Sequence, residues 1–322
     1  MTLVSLAKNP VPSGAVSGDF AGYDGAPLRF ARWSATRGPA RGTVCVFSGR
    51  GEYIEKYFEV IADLRRRGFA VAIHDWRGQG GSHRPLANRR KGHIRDFKEF
   101  DQDLVVFMQQ VVLPECPPPY YALAHSMGGN ILARHSVAPD SWFDRIVLCA
   151  PMFEIIADKA RVPGNLARVF VETACLLGQS TRYVPTGSDQ SAEMMPFEGN
   201  TLTSDRERYM RNRQVVEAAP ELALGYPTDG WTRAAYRSCA YVMDPAFARR
   251  VQVPLLLFSA ANDRIVSSRA IETFASRLKI GAHVPIPQSE HEILQESDTI
   301  RQHFWSVFDA YLGIGADATR PS

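Results

Sequence analysis

Ser126 stands where an apolar run meets two glycines, in the order A-H-S-M-G-G-N over residues 124–130. Small residues on both sides, Ala124 and Gly128, suit a strand that turns sharply into a helix and leaves the serine hydroxyl clear of the sheet. A serine hydroxyl becomes a useful nucleophile only when a base takes its proton, and a carboxylate must then hold that base in the right tautomer. Two later loops supply such groups. Asp263 follows the apolar run P-L-L-L-F-S-A in A-N-D-R-I-V-S, and His291 lies in P-Q-S-E-H-E-I-L. Asp229, Asp244 and Glu290 remain alternatives for the acid. Among eight histidines, His125 is turned away by its place before the serine, and His74 and His283 read as core imidazoles in or beside strands.

Acyl transfer also needs donors for the negative oxygen of the transition state. Residues 48–52 read S-G-R-G-E, and glycines there let backbone N–H groups face outward at the end of a strand. The Arg50 N–H would pair with that of Met127, and loss of one donor of this kind typically costs about a hundred- to a thousandfold in rate. A dinucleotide-binding loop would need a third glycine where Ile54 stands. Asp75, at the end of another strand in D-W-R-G-Q-G-G-S, reads as a turn residue bonded to backbone. No cysteine, histidine and carboxylate cluster has metal-ligand spacing, and the chemistry asks for no cofactor.

These side chains must be carried by a scaffold. A D-G turn at 24–25 joins two strands into a hairpin. Continuous apolar runs at 43–48, 69–74, 120–124, 145–150, 254–260 and 282–286 alternate with helical patterns at 54–67, 96–112 and 127–136. That rhythm means an α/β fold with a mostly parallel sheet buried on both faces. In such sheets the ligand crevice lies outside the carboxyl ends of the strands, where Ser126, Asp263 and His291 would meet. The rhythm breaks from 152 to 245, a stretch of helices and loops with an amphipathic pattern at 165–177 and a charged helical one at 204–218, which reads as a helical cap inserted over the site. The expected division is a loosely held lead-in over 1–18, a core over 19–151 and 246–314, the cap over 152–245, and a tail over 315–322.

Composition narrows the class. The 322 residues are 45% hydrophobic and 22% charged, with a net charge of +3, and no long basic run points to nucleic acid. The short clusters Arg65-Arg66-Arg67 and Arg89-Arg90-Lys91 read as solvated helix ends or loops. Five scattered cysteines, two of them in strand-like runs, favour a reducing compartment. With no apolar stretch of spanning length, a cytoplasmic protein is expected, with room for peripheral contact at the inner face of the membrane.

The motifs F-S-G-R-G-E-Y-I-E-K-Y, D-W-R-G-Q-G-G-S, H-S-M-G-G-N, S-E-H-E-I-L and N-T-L-T-S-D-R-E-R-Y together resemble the bacterial lysophospholipases related to monoacylglycerol lipases, over residues 19–314. The resemblance implies the α/β-hydrolase fold, with Ser126 as nucleophile, Asp263 as acid, His291 as base, and the N–H groups of Arg50 and Met127 as the oxyanion hole. It implies hydrolysis of a single-chain lipid ester, a lysophospholipid or monoacylglycerol, with no cofactor. An acyltransferase or a small-ester hydrolase would use the same triad, and an aminopeptidase or a binding protein on the same fold is a more distant alternative. Ala124 and Ser48 depart from the wider lipase pattern, which usually has glycine and histidine there.

Overall fold

The computed structural model describes residues 2–36, 38–156 and 164–314; the expected tail over 315–322 lies outside them. Eight strands form one sheet in the order β1-β2-β4-β3-β5-β6-β7-β8. A hairpin, β1 (Val16–Ala21) and β2 (Pro27–Trp33), opens it, and β2 pairs antiparallel with β4 (Ala70–His74). From β4 onward, β3 (Thr43–Phe47), β5 (Tyr120–His125), β6 (Phe143–Cys149), β7 (Leu255–Ala260) and β8 (Gly281–Ile286) all pair in parallel. Every residue of β3, β4 and β7 is buried. This is why these segments read as unbroken apolar runs: both faces of a parallel sheet are covered.

The covering helices are α1 (Phe58–Arg66), α2 (Lys98–Phe107), α3 (Met127–His135), α7 (Ser268–Ala275) and α8 (Asp298–Leu312). Between β6 and β7 lie α4 (Gly164–Leu176), α5 (Arg206–Ala218) and α6 (Asp229–Met243). The first two interrupt the alternation as expected; the third does not. Trp231, Ala234, Ala235, Cys239 and Val242 of α6 belong to the main hydrophobic core. The reason is topological: β6 and β7 are parallel neighbours, so the chain must return along a face of the sheet, and α6 makes that return. α6, which falls within the cap expected over 152–245, therefore packs into the main core. Thr228 caps the start of α6 by accepting from the Trp231 N–H at 3.1 Å.

Residues of the expected lead-in make contacts with the core. Asn9 is buried and donates to the Glu55 carbonyl at 2.9 Å, and Val4 and Leu6 pack with Tyr53 and with Val215 and Val216 of α5. Arg65 and Arg67, expected in a solvated cluster, are engaged as well. Arg65 donates to the Ser34 carbonyl at 2.9 Å, and Arg67 pairs with Asp309 at 2.6 Å while its guanidinium lies 4.1 Å from the Trp305 ring centroid. A long arginine stem covers apolar surface while its head finds an acceptor.

Candidate active site

Ser126 lies at the junction of β5 and α3 with φ 49° and ψ −111°, a strained backbone that holds its side chain at the tip of the turn. Neighbours fix this turn. The Ser126 N–H donates to the Cys149 carbonyl at 3.0 Å, and the Ser126 carbonyl accepts from the Met152 N–H at 2.9 Å. Asn130 Nδ2 donates to the Met152 carbonyl at 2.8 Å. Gly128 is required by space, since a Cβ there would sit 2.5 Å from the Phe47 carbonyl oxygen and 2.6 Å from that of Ser48.

His291 and Asp263 come from the loops after β8 and β7. His291 Nε2 lies 2.9 Å from Ser126 Oγ, and His291 Nδ1 lies 2.7 Å from Asp263 Oδ2. The structure therefore brings together the three residues singled out in the sequence. Asp263 also accepts from the N–H groups of Ile265 at 2.8 Å and Val266 at 3.0 Å. Burial alone would push its carboxyl up, but the facing His291 and those N–H donors outweigh burial and hold it below the usual carboxylate range. All three side chains are shielded, with Ser126 only 7% exposed. The alternatives for the acid are occupied elsewhere: Asp229 pairs with Arg182, Glu290 lies 3.3 Å from Arg264, and Asp244 accepts from the Ala246 N–H.

The loop after β3 shows which amide is free. Gly49 N–H donates to the Glu52 carboxylate, and Gly51 N–H donates to Gln79 Oε1 at 3.1 Å. Gln79 Nε2 in turn donates to the carbonyls of Gly49 at 2.7 Å and Glu52 at 3.0 Å. Between two engaged amides, that of Arg50 has no acceptor among the described residues. Met127 opens α3, so its N–H has no partner inside the helix. The arrangement leaves open the two amides singled out in the sequence.

A buried charge network behind this loop was not anticipated. Lys56 Nζ lies 3.3 Å from Glu52 and 2.6 Å from Glu292, while Tyr57 Oη donates to Glu52 at 2.6 Å. His125, expected to point away from the serine, faces Glu52 at 3.2 Å. Burial works against both charges, yet His125 and Lys56 hold Glu52 well below the usual carboxylate range, and Glu52 in return raises His125. The signal in the sequence is E-Y-I-E-K-Y itself, where Glu52 and Lys56 sit one helical turn apart.

Asp75 has the structural role expected of it. It accepts from the N–H groups of Ile54 at 2.9 Å and Gly81 at 2.7 Å and from Arg29 Nε at 2.7 Å. His283 lies 2.8 Å from Ser259 Oγ, and no group of histidines, cysteines and carboxylates among the described residues could hold a metal ion.

A family model described as serine aminopeptidase, S33 matches residues 38–298. Lysophospholipase L2 of Escherichia coli K12 is 34% identical over 290 residues, spanning 88% of this chain and 83% of that protein. Monoglyceride lipase of Rattus norvegicus is 23% identical, spanning 87% of this chain and 89% of its own. Among solved structures, a soluble variant of monoglyceride lipase from Saccharomyces cerevisiae superposes with a TM-score of 0.74 at 17% identity, covering 96% of this chain and 98% of that one.

Proposed function

The chain belongs to the α/β-hydrolase family that this model describes, and we propose that it is a serine ester hydrolase acting on lysophospholipids through Ser126, His291 and Asp263. The observation that carries this reading is the unbroken hydrogen-bond chain from Ser126 Oγ through the His291 ring to Asp263. His291 would take the hydroxyl proton as Ser126 attacks the ester carbonyl, and Asp263 would steady the imidazolium. The N–H groups of Arg50 and Met127 would receive the negative oxygen. His291 would then hand its proton to the departing alcohol, and water would release the fatty acid from the acyl-enzyme by the same route.

The preference for a lysophospholipid over other esters is supported by the 34% identity to Escherichia coli lysophospholipase L2 along most of both chains. The same reading gives α4 a role. Val169, Phe170, Leu176 and Leu177 leave apolar surface exposed on and just beyond this helix, Leu176 by 82%, and a single-chain lipid is met at a membrane surface. Among the described residues no helix is long and apolar enough to cross a membrane, so the contact would be peripheral.

The deciding experiment is fatty acid release from a lysophosphatidylcholine, with Ser126→Ala protein as the blank. Release that falls about a millionfold in the variant, the usual cost of removing a serine nucleophile, is the expected result. Retained hydrolysis by the variant would remove Ser126 from its role. Cleavage of a short soluble ester without cleavage of the lipid would keep the triad and discard the substrate class.

A further inference from the structure

Arg50 brings more to the site than its amide. Its side chain extends from the loop after β3 toward the segment that leads into α6. There Nη2 donates to the Gly225 carbonyl at 2.6 Å, and the guanidinium carbon lies 5.1 Å from the Trp231 ring centroid. The backbone makes room for it: a Cβ on Gly92 would come within 2.6 Å of Nη2. What the guanidinium lacks is an acid. No carboxylate among the described residues is in ion-pair range of Arg50, Nε is buried without an acceptor, and Nη1 has no protein acceptor there either. Burial pulls the guanidinium down to about 10, and Glu193 and Tyr183 pull the other way without restoring it. Glu193 is itself buried and raised above the ordinary carboxylate range by that burial.

Arg84 shows the contrast. It is buried nearby, but its terminal nitrogens are spread over the carbonyls of Gly78, Gly80 and Arg89 at 3.2, 2.9 and 2.8 Å. Such an arginine binds loops together. Arg50 spends one donor on a carbonyl and keeps the rest, while the residue as a whole remains partly exposed. A desolvated cation with spare donors, on a residue whose amide borders the candidate site, is a site for an anion.

Covalent reach identifies the anion. Six bonds separate the backbone nitrogen of an arginine from its guanidinium carbon. Six bonds also separate the acyl carbonyl carbon of a 1-acyl glycerophospholipid from its phosphorus. We propose that the Arg50 side chain anchors the headgroup phosphate of a lysophospholipid while the Arg50 amide faces the reacting carbonyl, so that one residue measures the glycerol between them. A monoacylglycerol presents a hydroxyl in place of the phosphate and leaves the guanidinium without a counter-charge. This inference deepens the lysophospholipid reading and rests on it.

The test compares kcat/KM for a 1-acyl lysophosphatidylcholine with that for the 1-monoacylglycerol of the same chain, in the wild type, Arg50→Gln and Arg50→Lys. Only the ratio is read, because absolute rates also depend on the neighbouring amide. The ratio should fall about ten- to a hundredfold in Arg50→Gln, as expected for losing a hydrogen bond to a charged group, and recover in part in Arg50→Lys. A ratio that stays put in both variants overturns the anchor. A second measurement separates its failure from that of the substrate reading: glycerophosphocholine should inhibit hydrolysis of p-nitrophenyl butyrate by the wild type, and at least about tenfold less well in Arg50→Gln. If the wild type cuts the butyrate and neither lipid, the substrate reading fails, and the Arg50-dependent inhibition alone upholds the anion site. Absence of inhibition in the wild type overturns the site, whether or not Arg50→Gln folds.

Discussion

His125 Nε2 lies 3.3 Å from the carbonyl oxygen of His291, and the two rings stand 4.8 Å apart between centroids. The residue before the serine thus holds the backbone of the residue that faces it. Its other nitrogen meets Glu52, the same carboxylate that accepts the Gly49 N–H. Both sides of the candidate site, His291 and the loop after β3, therefore hang from one buried ion cluster.

Glu52→Gln should lower kcat about ten- to a hundredfold with a smaller change in KM, because the loop amides are positioned by the carboxylate rather than by substrate. It should also cost about 3 kcal/mol of stability, since Lys56 and His125 would lose the carboxylate that offsets their burial. The His125 shift gives the sign with pH. Its folded-state value is raised, so its stabilisation is complete below about pH 6.5 and is lost as pH rises through that raised value. Urea melts from pH 6 to 9 should show a decline with pH that is absent in Glu52→Gln. An unchanged pH dependence would separate His125 from Glu52.

His74 predicts the opposite trend on the acid side. The ring is fully buried, neither nitrogen has a partner among the described residues, and it packs against Trp76 and Phe107 with centroids 4.4 Å away in each case. Burial brings it down to about 3. As pH falls below about 6.5 the unfolded chain takes up a proton that the folded chain refuses, so stability is lost down to about pH 3, by up to about 1.4 kcal/mol per pH unit. His74→Phe should shrink the stability difference between pH 7 and pH 5 by about 1–2 kcal/mol. Identical slopes in variant and wild type would show that the imidazole titrates in the fold.

Leu176 and Leu177 are exposed by 82% and 71%. Replacing both with serine should weaken sedimentation with phosphatidylglycerol vesicles at least about tenfold, given about 1–2 kcal/mol for each side chain that partitions into the interface. Hydrolysis of a soluble ester should hardly change. Equal vesicle binding by both proteins would leave that apolar surface without the proposed role.

Much of this was legible because the signals are local. Gly128 is demanded by carbonyls of the adjacent strand, so the elbow writes itself into a few consecutive residues. The strands read as apolar runs because both faces of the sheet are covered. Chain order then placed Asp263 and His291 on loops at the same edge. The ion cluster was hidden for the opposite reason: Lys56 and Glu292 are 236 residues apart, and no spacing rule connects them. The start of α6 was hidden by its own cap, since Pro227, Thr228, Asp229 and Gly230 have the composition of a turn. The contact between Asn9 and Glu55 was not legible, because the Pro, Ser and Gly content of the lead-in resembles a tether.

The return of the chain along α6 has a consequence for how such a protein can change over time. With α6 carrying the chain back along the sheet, the described residues between Met152 and Thr228 are a detour whose two ends are held by the core, Met152 at the elbow and Thr228 against the Gly92 carbonyl. Lengthening, trimming or redrawing that detour leaves the register of neighbouring strands untouched. The detour also reaches the loops of the candidate site, where the Leu202 carbonyl accepts from the Glu292 N–H and the Gly225 carbonyl from Arg50, so selection that revises what the protein accepts must keep those two contacts.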